Sequence, residues 1–226
     1  MVRFRLPIVY LASPALPIGA YAWSQGLAGA VESGMLRNGG ELKAWLAGVL
    51  EFGLGRFDLP LLARCFRAAG QADAAALAKW NDLVLAGRET AELWEEERRM
   101  GEALCRFLSG QGLWPVWAGD LALGHVAAFA LAAEAMAKGS GDDGLMPDLL
   151  LAFAWSWLEN QVVAAAKILP LGQTEGSRIL IGLMPAVEKT AGEALIVPDD
   201  RIGSSLPGLT LASMAHEGQY SRLFRS

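Results

Sequence analysis

The run from Pro147 to Leu169, PDLLLAFAWSWLENQVVAAAKIL, limits what this chain can fold into more than any other stretch. From Leu149 to Leu169 its only charges are Glu159 and Lys167. About 20 apolar residues are enough to cross a bilayer. In a soluble domain the same run is a central helix buried on most faces. Glu159, Asn160 and Gln161 stand near its middle, where lipid penalises them. Pro147 fits a first helical turn and Pro170 ends the run. These features favour the enclosed helix over the membrane span. Lys167 is the residue that apolar packing does not explain. A lysine there can extend its stem along the apolar face to reach water, complement the helix dipole, or meet a partner.

Composition narrows the class. Apolar residues make up 53% of the chain and charged residues 19%. This is richer in apolar residues than an ordinary soluble domain, and by itself it fits either a membrane protein or a soluble one whose apolar surface a partner hides. The net charge of -5 and the lack of a long basic run argue against nucleic acid as a partner. Cys65 and Cys105 lie in apolar helical patterns and act there as small hydrophobes, which fits a reducing compartment. The first residues, MVRFRLPIVYLASPALPIGAY, lack the unbroken apolar region of a signal peptide because Pro7, Pro14 and Pro17 interrupt it. A cytoplasmic protein is expected.

The pattern along the chain is helical throughout. Tyr21, Leu27 and Val31 suggest a helix ending at Gly34. Leu42, Leu46, Val49 and Leu50 share a face of a second helix that frays at Gly53-Leu54-Gly55. Asp58 is the expected cap of a helix with Pro60 in its first turn. Asp73 is expected to cap a helix from Ala74 to about Leu108, with a break near Gly87. Within it, Arg88 to Arg99 is the most charged stretch and reads as a solvated face, with Glu95 reaching Arg98 and Arg99. Pro115 to Lys138 reads as an apolar helix carrying His125 as a hydrogen-bonded core residue. Lys138 to Gly144 reads as a flexible loop. Gly172 to about Leu195 is a further helix with Ile179, Leu183 and Val187 on one face and a kink at Pro185. No strand alternation stands out. The fold class is all-α: one domain, residues 1–226, built as a helical bundle in which the others enclose a central apolar helix. Residues 198–226 form a linker and a C-terminal docking segment.

Catalytic templates fail. Trp23-Ser24-Gln25-Gly26 lacks the glycine a nucleophile elbow needs two residues before its serine, where Ala22 stands. Gly172 to Arg178 lacks the lysine and the glycine spacing of a phosphate loop. Two His and two Cys, widely separated, give no metal-ligand spacing. No catalytic residue, cofactor or metal ligand is expected, and the chain reads as a non-enzyme.

Four segments resemble one family. Leu11 to Leu27, LASPALPIGAYAWSQGL, is similar to the N-terminal signature of UreF, the urease accessory protein. Ala154 to Gln173, AWSWLENQVVAAAKILPLGQ, is similar to its central signature. His216 to Ser226, HEGQYSRLFRS, is similar to its C-terminal one, and Arg88-Glu89-Thr90 with the following Glu-Glu-Glu-Arg run is a fourth match. They occur in family order across nearly the whole chain. Gly218, Ala20 and Ala22 depart from the usual residues. The resemblance implies an all-α homodimer that acts as a nickel-insertion chaperone. It implies binding to UreD (UreH in some species), through that complex to the GTPase UreG, and delivery of nickel to apo-urease. A role as modulator of UreG hydrolysis is the alternative emphasis. The residues expected to meet partners are Lys167, Arg178, His216, Tyr220, Arg222, Leu223, Phe224 and Arg225. Among them Tyr220, Leu223 and Phe224 are candidate anchors, with Arg222 and Arg225 as charged partners.

Overall fold

The computed structural model describes residues 5–137 and 143–226, and among these every regular element is helical. The ten α-helices are α1 (Leu6–Leu11), α2 (Leu27–Glu32), α3 (Gly39–Gly48), α4 (Asp58–Gly70), α5 (Ala74–Ala86), α6 (Ala91–Gly110), α7 (His125–Met136), α8 (Met146–Ala165), α9 (Gln173–Ala194) and α10 (Pro207–Glu217). The all-α expectation is therefore borne out. Most of the expected Lys138–Gly144 loop lies outside the described residues.

Local chemistry accounts for many of the boundaries. Asn38 Oδ1 accepts the Glu41 amide at 3.0 Å, Asp73 Oδ1 the Ala76 amide at 2.9 Å, and Thr90 Oγ1 the Leu93 amide at 3.2 Å. Each side chain satisfies a donor that the first helical turn leaves free. Gly34 ends α2 with φ +76, a left-handed conformation that suits glycine. The expected break near Gly87 separates α5 from α6. The expected helix from Tyr21 does not form as one piece. Ala20–Ala22 is a single 3-10 turn, and Gln25 and Gly26 both take positive φ before α2 begins. The fraying expected after α3 is instead a π-helical segment, Val49–Leu54. On α9, Ile179, Leu183 and Val187 are all buried, and Pro185 lies within the helix.

Packing places the centre elsewhere than apolarity alone suggested. The enclosed helix is α7, in which every residue from Val126 to Glu134 is buried. It lies against α4 and α6. Its alanines let neighbouring backbones come close, and α6 answers with Gly101, where a Cβ would sit 2.1 Å from the Leu123 carbonyl oxygen. The long run of α8 buries Leu149, Leu150, Phe153, Leu158 and Val162 but turns Leu151 and Val163 to the surface. No helix among the described residues is long and apolar enough to cross a membrane. The segment after α9 is anchored early, since Arg64 holds both Asp199 (2.7 Å) and the Val197 carbonyl (2.6 Å). α10 then packs on α2, so closely that a Cβ on Gly29 would lie 2.0 Å from the Ala212 carbonyl oxygen.

Candidate functional site: a buried carboxylate row on α6

Leu108, Leu104 and Met100 form the buried stripe of α6 at four-residue steps. The same steps continue toward the N-terminus to Glu96 and Glu92, with Glu97 beside them, and all three are buried. The reading of this stretch as a solvated face thus holds for one side only. Glu95, Arg98, Arg99 and Glu102 do form surface pairs, with Arg99 Nε donating to Glu95 at 2.6 Å and Arg98 Nη2 at 2.9 Å. The other side carries three polar nodes, in which partners from outside α6 hydrogen-bond carboxylates that would otherwise be costly to bury.

The first node is an ion-pair triad. Arg88 Nη2 donates to Asp58 Oδ1 at 2.6 Å and to Glu97 Oε2 at 2.7 Å. Burial opposes the Arg88 charge, but the two carboxylates outweigh it and hold the guanidinium above its usual range. Asp58 is therefore not the cap expected of it: Phe57 holds that position, and the Asp58 side chain turns to Arg88 instead. Glu97 Oε1 also accepts the Val126 amide at 2.8 Å, which places negative charge at the start of the enclosed helix. Next to it His125 meets the rings of Phe153 and Phe129, with centroids at 5.3 and 5.9 Å. Its Nε2 is buried without a hydrogen-bond partner, which corrects the expected hydrogen-bonded core histidine. Burial pushes the imidazole below its usual range, so it is neutral at physiological pH. His125 borders a cavity of about 230 Å³ whose wall also includes Leu16, Glu96, Met100, Phe129 and Phe153.

The second node centres on Gln25 and Glu96. Gln25 Nε2 donates to Glu96 Oε1 at 2.7 Å, while Trp157 Nε1 donates to Gln25 Oε1 at 2.5 Å. Ser226 Oγ donates to Glu96 Oε2 at 3.0 Å and accepts the Gln25 amide at 3.2 Å. The Ser24 amide and hydroxyl both donate to the Ser226 carbonyl, the amide at 2.9 Å. Gln25 reaches these partners from φ +53, an uncommon position for a residue with a side chain. Burial raises the Glu96 carboxyl to about 7, against the lowering effect of its hydrogen bonds with Gln25 and Ser226. The four segments that resemble a family signature meet here: Ser24 and Gln25, Glu96, Trp157 and Ser226.

The third node joins α6 to α10. Glu92 Oε2 lies 2.7 Å from His216 Nδ1, and its Oε1 accepts Arg222 Nη1 at 2.6 Å. The hydroxyls of Thr90 and Ser213 are 2.8 Å apart beside it.

The residues singled out from sequence divide into two groups. His216 and Phe224 are buried within the chain, at 0% and 4% exposure. Arg222 is engaged by Glu92, Arg225 lies over the Trp23 ring at 5.8 Å, and Lys167 Nζ is 5.4 Å from the centre of the Phe224 ring. Tyr220 and Leu223 instead point outward, at 106% and 65% exposure. Arg178 stands exposed on α9, away from these nodes. Sequence reasoning missed Gln25, Asp58, Glu92, Glu96 and Glu97. For the glutamates a signal was present, since they fall on the continuation of the apolar stripe of α6. Among the described residues no group of three or more His, Cys, Asp or Glu is placed to hold a metal ion.

Comparison with known proteins fits this convergence. The family model described as UreF matches residues 36–184. The urease accessory protein UreF of Chromohalobacter salexigens is 51% identical over 220 residues, covering 97% of this chain and 93% of its own. Those of Marinobacter nauticus (47% identical, 98% and 94% covered) and Methylobacillus flagellatus (43% identical, 99% and 98% covered) are similar along nearly their whole length. The chain belongs to the UreF family of urease accessory proteins, and it is an accessory protein rather than an enzyme.

Proposed function

We propose that this UreF-family chain is a cytoplasmic, homodimeric scaffold for nickel insertion, which binds UreD and, through that complex, recruits UreG to apo-urease. The observation that carries the reading is the form of residues 219–226. Phe224 and Ser226 pin the segment to the body while Tyr220 and Leu223 are left exposed. Ordered backbone beneath two free apolar side chains is a pre-organised docking surface, because the entropy of ordering it is already spent in the free protein. Tyrosine is a frequent interface hot spot.

The test replaces Tyr220 and Leu223 together by alanine. Neither side chain is packed, so the fold should be unchanged. Co-purification with UreD is expected to fall at least tenfold, together with nickel-dependent activation of urease in a reconstituted mixture. Co-purification at the wild-type level rejects this segment as the UreD contact.

Lys167 and Arg178 are proposed to face UreG, and both are exposed. GTP turnover by UreG in the complete assembly, with Lys167→Ala, tests whether the chain modulates hydrolysis. Unchanged turnover in an intact complex removes Lys167 from that role.

A further inference from the structure

Glu96 is a carboxylate buried to 4% exposure that is met by two uncharged side-chain groups, the Gln25 amide and the Ser226 hydroxyl. Arg88, the cation whose charge acts on Glu96, is committed to Asp58 and Glu97. A buried charge without a cation is unfavourable unless it finds water. On one side of Glu96 stands the cavity, and on the other Ser226 covers it. Ser226 belongs to the segment that carries Tyr220 and Leu223, which is also held by the Phe224 side chain, by the Ser24 amide and hydroxyl on the Ser226 carbonyl, by the Arg225 amide on the Ala22 carbonyl at 2.9 Å, and by Arg222 on Glu92.

We propose that the Gln25–Glu96–Ser226 contact is a proton-sensitive latch, which holds residues 219–226 against the body while Glu96 is neutral and loosens them when Glu96 is charged. A neutral Glu96 keeps its place in the node, since the Ser226 hydroxyl accepts as readily as it donates. A charged Glu96 gains hydration when Ser226 moves away. The surrounding charges do not cancel this preference. Glu97 beside it is like-charged, Arg88 is shared by two other carboxylates, His125 on α7 is held neutral by burial, and Glu92 is paired with His216 and Arg222.

The direction follows from proton linkage. With the segment docked the carboxyl titrates at about 7; released into water it returns toward 4.5. The docked form therefore binds more protons between these values, and docking weakens as pH rises through them. For full hydration on release, the released-to-docked ratio at pH 8 is roughly tenfold that at pH 6. The consequence for UreD docking rests on the function proposed above. The latch itself is a property of the free chain, so either idea can fail alone.

The experiment measures hydrogen exchange of the Arg225 amide in the full chain, corrected for the intrinsic pH dependence of exchange. The expected result is a roughly tenfold loss of protection from pH 6 to pH 8 in the wild type and no such loss in Glu96→Gln. Protection independent of pH in the wild type overturns the proposal. So does a pH dependence that persists in Glu96→Gln, because Glu96 is then not its source. A second measurement does not depend on the folding of that variant. In full-length Phe224→Ala, carboxyl NMR is expected to show the Glu96 midpoint at least one unit lower than in the wild type. An unchanged midpoint means that Glu96 is hydrated from the cavity rather than from the tail side, and the latch is rejected.

Discussion

Replacing Arg88 by alanine tests whether the charged stretch of α6 is a structural core or a wetted surface. The guanidinium is 18% exposed, and its partners Asp58 and Glu97 are 11% and 5% exposed. Arg88→Ala leaves two buried carboxylates facing each other without the cation between them. Breaking a buried pair in this way costs about 3–5 kcal/mol, a large share of the ~5–15 kcal/mol that holds a domain folded. At roughly 2.1 cal/mol/K of unfolding entropy per residue, 226 residues make a ~4 kcal/mol loss equal to about 8 °C in Tm. Urea unfolding followed by far-UV circular dichroism at pH 8 measures the loss. Arg99→Ala, at the exposed surface of the same helix, serves as the control and should leave the midpoint unchanged. A loss under ~1 kcal/mol for Arg88→Ala at pH 8 would refute the reasoning, because that is the scale of an exposed pair.

Other outcomes follow from single contacts. Gln25→Ala should cost about 2–4 kcal/mol, since Glu96 and Trp157 both lose a partner; Gln25→Gly should cost roughly 1 kcal/mol less because glycine accepts φ +53 without strain, and equal losses in thermal unfolding would contradict this. Gly101→Ala should destabilise by at least ~1–3 kcal/mol, as the new Cβ meets backbone rather than a movable side chain; a wild-type urea midpoint would show that α6 and α7 can separate freely. Asp73→Ala removes the α5 cap and should cost about 1 kcal/mol, readable as a small shift in the same transition.

The sequence by itself determined the helices and much of their punctuation. Asp73, Gly34 and the break at Gly87 are local chemistry, in which a side chain or a backbone angle satisfies its neighbours within four residues. The buried face of α9 was equally legible, since Ile179, Leu183 and Val187 repeat at helical spacing with polar residues between them. The four signature segments were visible as well, though not the point at which they meet. Tertiary structure decided which helix is enclosed. α8 is the more continuous apolar run, but it turns Leu151 and Val163 outward, whereas the small residues of α7 let α4 and α6 close around it. It also decided the sense of the charges on α6. Glu92, Glu96 and Glu97 have the same composition as any solvated helix face. They are buried because Arg88, Gln25, His216, Arg222 and Ser226 arrive from elsewhere in the chain to meet them. Spacing along a helix shows which residues share a side. Whether a carboxylate on that side faces water or a partner depends on residues up to 130 positions away, and only the folded chain brings those within hydrogen-bond distance.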